Sequence, residues 1–251
     1  MIFDIQEFYP SITEELLVNS INFASRLVKI TTEEKSIIMH ARRSLLYHNQ
    51  TPWIKKENNS DFDITMGSWN GAECCEIVGL FLLNQIKELI NEKYVGLYRD
   101  DGLAALPNLS GPQTENLKKK TIHLFKQNNL SIEIQTGLYA VDYLDVTLDL
   151  KKNTYKPYNK PNNKPNYVNK LSNHPPQILK QIPLNISKRL SDNSSTPEIF
   201  NEVAPFYNQL LRENGYEETI TYTPPKKETT KKNKRKQRDI IWYNPPFILN
   251  V

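Results

Sequence analysis

The chain has few of the residues that staple or anchor a protein. It holds two cysteines in 251 residues, and they are neighbours, Cys74 and Cys75. Vicinal cysteines rarely bridge and lack zinc-site spacing. They read as helix-core residues of a chain in a reducing, intracellular compartment. No apolar run approaches the ~18 residues of a membrane span, so no membrane partner is expected. The first ten residues, MIFDIQEFYP, lack the basic-then-apolar order of a secretory signal. Histidine is scarce, at four, and His174, before Pro175 and Pro176, reads as structural.

Charge is plentiful but unevenly placed. Residues 1–150 carry 14 Lys+Arg against 20 Asp+Glu, and residues 151–251 carry 18 against 8. An acidic half joined to a basic half suggests carboxylate chemistry beside a polyanion-binding surface. The alternative is a merely solvated basic tail.

Patterning through residue 150 interleaves helices and strands. MIFDIQEFY reads as a strand. Ser11 and Glu14 suggest a capping box for an amphipathic helix, and Thr32 suggests the cap of a second. Residues 51–71 read as strand and loop, forming a hairpin. AECCEIVGLFLLNQIKELINEK is the longest periodic helix, with Cys74, Ile77, Phe81, Ile86 and Leu89 near one stripe. Residues 95–106 form a hairpin, with Asp101-Gly102 as the strongest turn signal. A capped helix from Ser110 and strands in LSIEIQTG and VDYLDVTLDL follow. The expectation is an α+β fold: an antiparallel sheet with helices on one face over 1–150.

Beyond 150 the texture changes. KKNTYKPYNKPNNKPNYVNK reads as an extended arm. Two proline-interrupted segments, 175–191 and 196–216, read as short helices within a mainly helical region, 151–222. Residues 223–251 comprise a basic low-complexity linker and a strand that ends without a partner.

The chemistry begins with VGLYRDDGLAAL. Two adjacent carboxylates, Asp100 and Asp101, repel unless a cation sits between them and a third acid. Asp4, between Phe3 and Ile5 in an apolar strand, is the candidate third acid. Three carboxylates without an imidazole suit a hard cation such as Mg²⁺.

FDIQEFYPSI, MGSWNGA and YRDD, in this order, resemble the successive palm motifs of reverse transcriptases. The resemblance covers about residues 1–150. Met66 stands where that family has Gln, and Gly71-Ala72 where it has Ser-Pro. It implies a polymerase palm followed by a thumb-side region, which for SNHPPQILKQIPLNISKRLS resembles that of Penelope-like retroelements. The implied activity is RNA-templated DNA synthesis by two-metal nucleotidyl transfer, using two Mg²⁺ ions with Mn²⁺ as a substitute. The implied partners are an RNA template, a DNA primer and deoxynucleoside triphosphates. By resemblance Asp4, Asp100, Asp101 and the Ile5 carbonyl hold metal. Tyr9 becomes a steric gate under the sugar, and Gly67 a close approach to template or nucleotide. As plain residues, Tyr9 is a core tyrosine and Gly67 a turn. The fingers that precede the first motif in that family have no counterpart here. The expectation is a fragment, a degraded copy or half of a larger assembly, with fingers or a nuclease domain supplied by a longer chain.

For nucleic-acid contact the candidates are Arg99, Lys156, Lys160 and the run Lys231, Lys232, Lys234, Arg235, Lys236, Arg238, with Tyr155, Tyr158 and Tyr167 for stacking. The run also reads as a nuclear-localisation signal. Two rivals stand beside the polymerase: an inactive fragment that binds nucleic acid only, and a different Mg²⁺ phosphotransferase or nuclease.

Overall fold

Alternation sets the central strand. In Ile2–Ile5 (β1), Phe3 and Ile5 are buried while Ile2 and Asp4 lie half-buried on the opposite side, as the two-residue period of a strand dictates. The computed structural model describes residues 1–43, 46–53, 61–107 and 109–224. After β1 come α1 (Phe8–Ser11), α2 (Glu14–Ala24), α3 (Thr32–His40), the hairpin β2 (Leu46–His48) and β3 (Thr51–Trp53), and α4 (Gly71–Ile86). Next are β4 (Val95–Tyr98), β5 (Asp101–Ala104), α5 (Gly111–Gln127) and β6 (Ile132–Gln135). The chain continues through β7 (Ala140–Tyr143), β8 (Val146–Asp149), β9 (Thr154–Pro157), α6 (Pro176–Asp192) and α7 (Pro197–Glu213).

The molecule is α+β, as its patterning predicts. Its main sheet runs β4-β5-β1-β6 and is antiparallel throughout. Phe3, Ile5, Ala104 and Ile134 form one face of it. They share a core with Leu17 and Ile21 of α2, Cys75, Val78 and Leu82 of α4, and Phe125 of α5. Phe3 meets Phe125 edge-on at 5.7 Å. Across β1 and β5, Phe3 pairs with Gly102. A Cβ at Gly102 would stand 2.1 Å from the Phe3 ring, so only glycine lets that ring lie across β5.

A second core joins α6 and α7 through Leu190, Phe200, Leu210 and Leu211. The meander β7-β8-β9 bridges the two cores. Its β9 exchanges two hydrogen bonds with Ser195: the Tyr155 amide donates to Ser195 Oγ at 3.1 Å, and the Ser195 amide to the Tyr155 carbonyl at 3.0 Å. Among the described residues no helix is long and apolar enough to cross a membrane.

Several local expectations are corrected. The cap of α2 is Thr13, whose hydroxyl accepts from the Leu16 amide, because Ser11 is taken up by α1. Thr31, with Glu34, forms the capping box of α3 in place of Thr32. The buried stripe of α4 is Cys74, Cys75, Val78, Leu82 and Ile86; Ile77, Phe81 and Leu89 are only partly buried. Part of the expected arm is a strand, β9. The two proline-bearing segments are unbroken 17-residue helices, with Pro183 and Pro205 inside them. The final basic run and strand lie outside the described residues.

Candidate functional site

The 95–106 hairpin turns at Arg99-Asp100, two residues earlier than the Asp-Gly signal suggests. Tyr98 pairs with Asp101, which leaves two loop residues. Arg99 takes the left-handed φ of +55° that the turn needs. Asp101 and Gly102 are strand residues, because Gly102 is required opposite Phe3.

This register builds an acidic row. On the face opposite the core, Tyr98, Asp101, Asp4 and Glu133 are successive cross-strand partners on β4, β5, β1 and β6. Asp100 caps the row at the turn, where its carbonyl accepts the Ile5 amide at 3.0 Å. Gln6 Nε2 donates to Asp4 Oδ2 at 2.5 Å. Tyr143 of β7 donates its hydroxyl to the Asp101 carbonyl at 3.2 Å, fixing the meander over the row's edge. Among the described residues no Lys or Arg forms an ion pair with Asp4, Asp100 or Asp101.

The electrostatics follow. Burial, then the charges of Asp100 and Glu133, hold the Asp4 carboxyl above the usual range; the Gln6 hydrogen bond opposes them. Asp101 is raised by burial, then by Asp100 and Asp4, and is eased by the Lys160 ammonium. A cluster whose members raise one another is a cluster short of positive charge. Three carboxylates suit a hard divalent cation by donor chemistry. Among the described residues, however, no three His, Cys, Asp or Glu are gathered into a metal-holding group: the acids form an open row.

The remaining predicted residues fall in different places. The Ile5 side chain is core, at 1% exposure. Tyr9 is buried in α1, edge-on to Phe8. Its hydroxyl is raised by burial and by Cys75, with Arg99 pulling the other way, so it lies between α4 and the acidic turn. Gly67 has φ +87°, and a Cβ there would meet nothing within 4 Å; its backbone conformation is what demands glycine. Arg99 reaches Glu76 of α4 at 4.0 Å and stacks over Tyr98 at 5.6 Å. Lys156 is exposed on β9, and exposed Lys160 belongs to the arm beyond it. Lys231, Lys232, Lys234, Arg235, Lys236 and Arg238 lie outside the described residues. Both cysteines are buried free thiols, and burial pushes Cys75 up to about 12.

Sequence reasoning missed Glu133 and the Tyr143 clamp. The alternation Ile132-Glu133-Ile134 puts the glutamate opposite the core, but only the strand order sets it beside Asp4. It also missed the basic face of α6, where Lys180 and Lys188 are exposed two turns apart. The exposed face of α7 carries Glu198, Glu202 and Glu213.

Residues 166–225 match the family model of the animal helix-turn-helix domain. No curated protein and no solved structure matches the chain. The resemblance to a reverse-transcriptase palm is thereby corrected. The family that matches is a helix-turn-helix one, and it falls on the stretch assigned above to a Penelope-like thumb side. The palm resemblance rested on three short motifs, one of them with altered Gln and Ser-Pro positions. Two neighbouring acid-bearing strands in an antiparallel sheet are enough to reproduce motifs that short. The match itself is physically apt: α6 and α7 are two helices joined by residues 193–196 over a core of their own.

Proposed function

We propose that this chain acts on nucleic acid, with its C-terminal helices holding the strand and the acidic row of the main sheet serving metal-dependent nucleotidyl transfer. The observation that carries the reading is the register that sets Asp4 opposite Asp101 with Asp100 at the turn, free of ion pairs among the described residues. Helix-turn-helix units commonly present a helix to nucleic acid. In this chain α6 and the Lys156–Lys160 stretch offer exposed positive charge.

Asp4, Asp100 and Asp101 are the residues that would hold Mg²⁺, or Mn²⁺ in its place. The ion, when bound, supplies a Lewis acid for a phosphoryl oxygen and an activated hydroxyl. The chain does the rest. The Ile5 amide and the Tyr143 hydroxyl fix the backbone of the acidic turn and strand. Gln6 orients the Asp4 carboxylate. Lys160 places a positive charge near Asp101, where a phosphate would approach. An RNA template, a DNA primer and deoxynucleoside triphosphates are the specific substrates to be tried.

The test is primer extension on a primed RNA template with Mg²⁺, labelled deoxynucleotides and an Asp100→Ala/Asp101→Ala control. Extension that disappears in the control supports the reading. Cleavage of the strand without nucleotide would assign the row to a nuclease. A second reading, nucleic-acid binding without chemistry, is favoured by the open spacing of the acids. It predicts intact binding by the control and no reaction from either protein.

A further inference from the structure

A cavity of about 590 Å³ opens between the β7–β8 turn, the 157–167 arm and α6. That is the size range of small-ligand sites. Its floor is apolar, from Ile186 and Leu190. Its wall is amide: Asn163, Asn166, Asn185 and Asn193 line it. Among the described residues none of these four side chains bonds a protein group, whereas the neighbouring Asn159 amide is engaged by the Tyr207 hydroxyl at 2.7 Å. Tyr158 and Tyr167 add ring surface. Arg189 is tied to Asp145 at 2.7 Å, which braces the turn against α6 and holds the cavity's shape. Lys160 stands on the lining with no ion pair among the described residues, and its charge also reaches Asp101.

An apolar floor, an aromatic wall, amides offering both donors and acceptors, and a free cation together match one chemistry. A nucleobase has a π-face and an edge of mixed donors and acceptors, and it carries a phosphate beside it. The geometry points to this cavity as the seat of one unstacked base of a single-stranded nucleic acid, its edge bonded by the asparagine amides and its phosphate directed by Lys160 toward the acidic row. This rests on the nucleic-acid reading above and adds a preference for single strands over duplex, since a paired base cannot leave its stack without cost.

The experiment measures the dissociation constants of a dye-labelled 12-nucleotide single strand and of a hairpin duplex at one salt concentration. The full chain is compared with Tyr158→Ala and with Asn185→Leu. Asn185 is exposed, so the second variant keeps the core untouched if the first folds poorly. Single-strand affinity is expected to fall about tenfold in Tyr158→Ala, the scale of one lost base stack. It should fall several-fold in Asn185→Leu, with duplex affinity unchanged in both. Unchanged single-strand binding in both variants, or equal loss on both substrates, overturns the cavity assignment and leaves nucleic-acid binding standing. A wild-type chain that binds neither substrate overturns both.

Discussion

Asp4 and Asp101 face each other across two strands, and each is easier to bury neutral than charged. The groups facing Asp4 are Asp100 and Asp101 from the hairpin and Glu133 from β6, with Gln6 as its hydrogen-bond donor. A carboxyl raised in the folded state contributes stability that is full below its unfolded value of 3.8 and is lost as pH rises through the folded value. At pH 7 the ionised pair therefore works against the fold. Asp4→Asn is expected to melt a few degrees above wild type at pH 7, with the gap closing as pH falls below the unfolded value. Thermal denaturation followed at both pH values checks this, and a variant that melts lower at pH 7 would mean the charge is compensated. Asp4 was legible in the sequence because a lone acid between Phe3 and Ile5 has no apolar reason to be there. Glu133 was not, because the order of strands in a sheet is a long-range choice that no local pattern records.

At the scale of elements, the same limit explains the prolines. Local rules give an interior proline a cost of about 3 kcal/mol, for the lost amide donor and the clash with the preceding turn. On that ground two breaks are expected. Yet α6 and α7 run on for 17 residues each. The burial of Leu190, Phe200, Leu210 and Leu211 against one another outweighs the local penalty. Pro183 is itself buried there, while Pro205 is exposed. Pro205→Ala restores an amide that can donate to the Asn201 carbonyl, and it gives back some unfolded-chain freedom worth about 0.4–1 kcal/mol. The net expectation is a chain more stable by about 2 kcal/mol, read as a higher urea midpoint with an unchanged slope. A lower midpoint would show that the ring packs. The hairpin illustrates the converse: its existence was local and legible. Its turn moved to Arg99-Asp100 because the Phe3 ring, 99 positions away from Gly102, claims that glycine for the sheet.

Over the whole molecule, the division of charge seen in the sequence becomes a division of surfaces. The main sheet gathers acid on its open face, and among the described residues α6 and the arm both turn positive charge outward. Within the helix pair the asymmetry is sharper. The first helix exposes Lys180 and Lys188, whereas the second exposes Glu198, Glu202 and Glu213 beside Arg212. An acidic helix laid against phosphates would be repelled, so the first helix is the one expected to face the strand. Each phosphate neutralised releases counterions, and the slope of log K against log salt falls by about 0.7–0.9 per contact removed. Lys180→Ala/Lys188→Ala should therefore flatten that slope by roughly 1.5, while Glu198→Gln/Glu202→Gln leaves it unchanged. A salt titration of single-strand affinity distinguishes the cases. If the lysine pair changes nothing and the glutamine pair steepens the slope, α7 faces the nucleic acid after all. The Tyr158 wall and the α6 lysines would then belong to different surfaces, and a strand running from the acidic row into the asparagine cavity would meet α6 only through residues of the lining such as Asn185, Ile186 and Leu190.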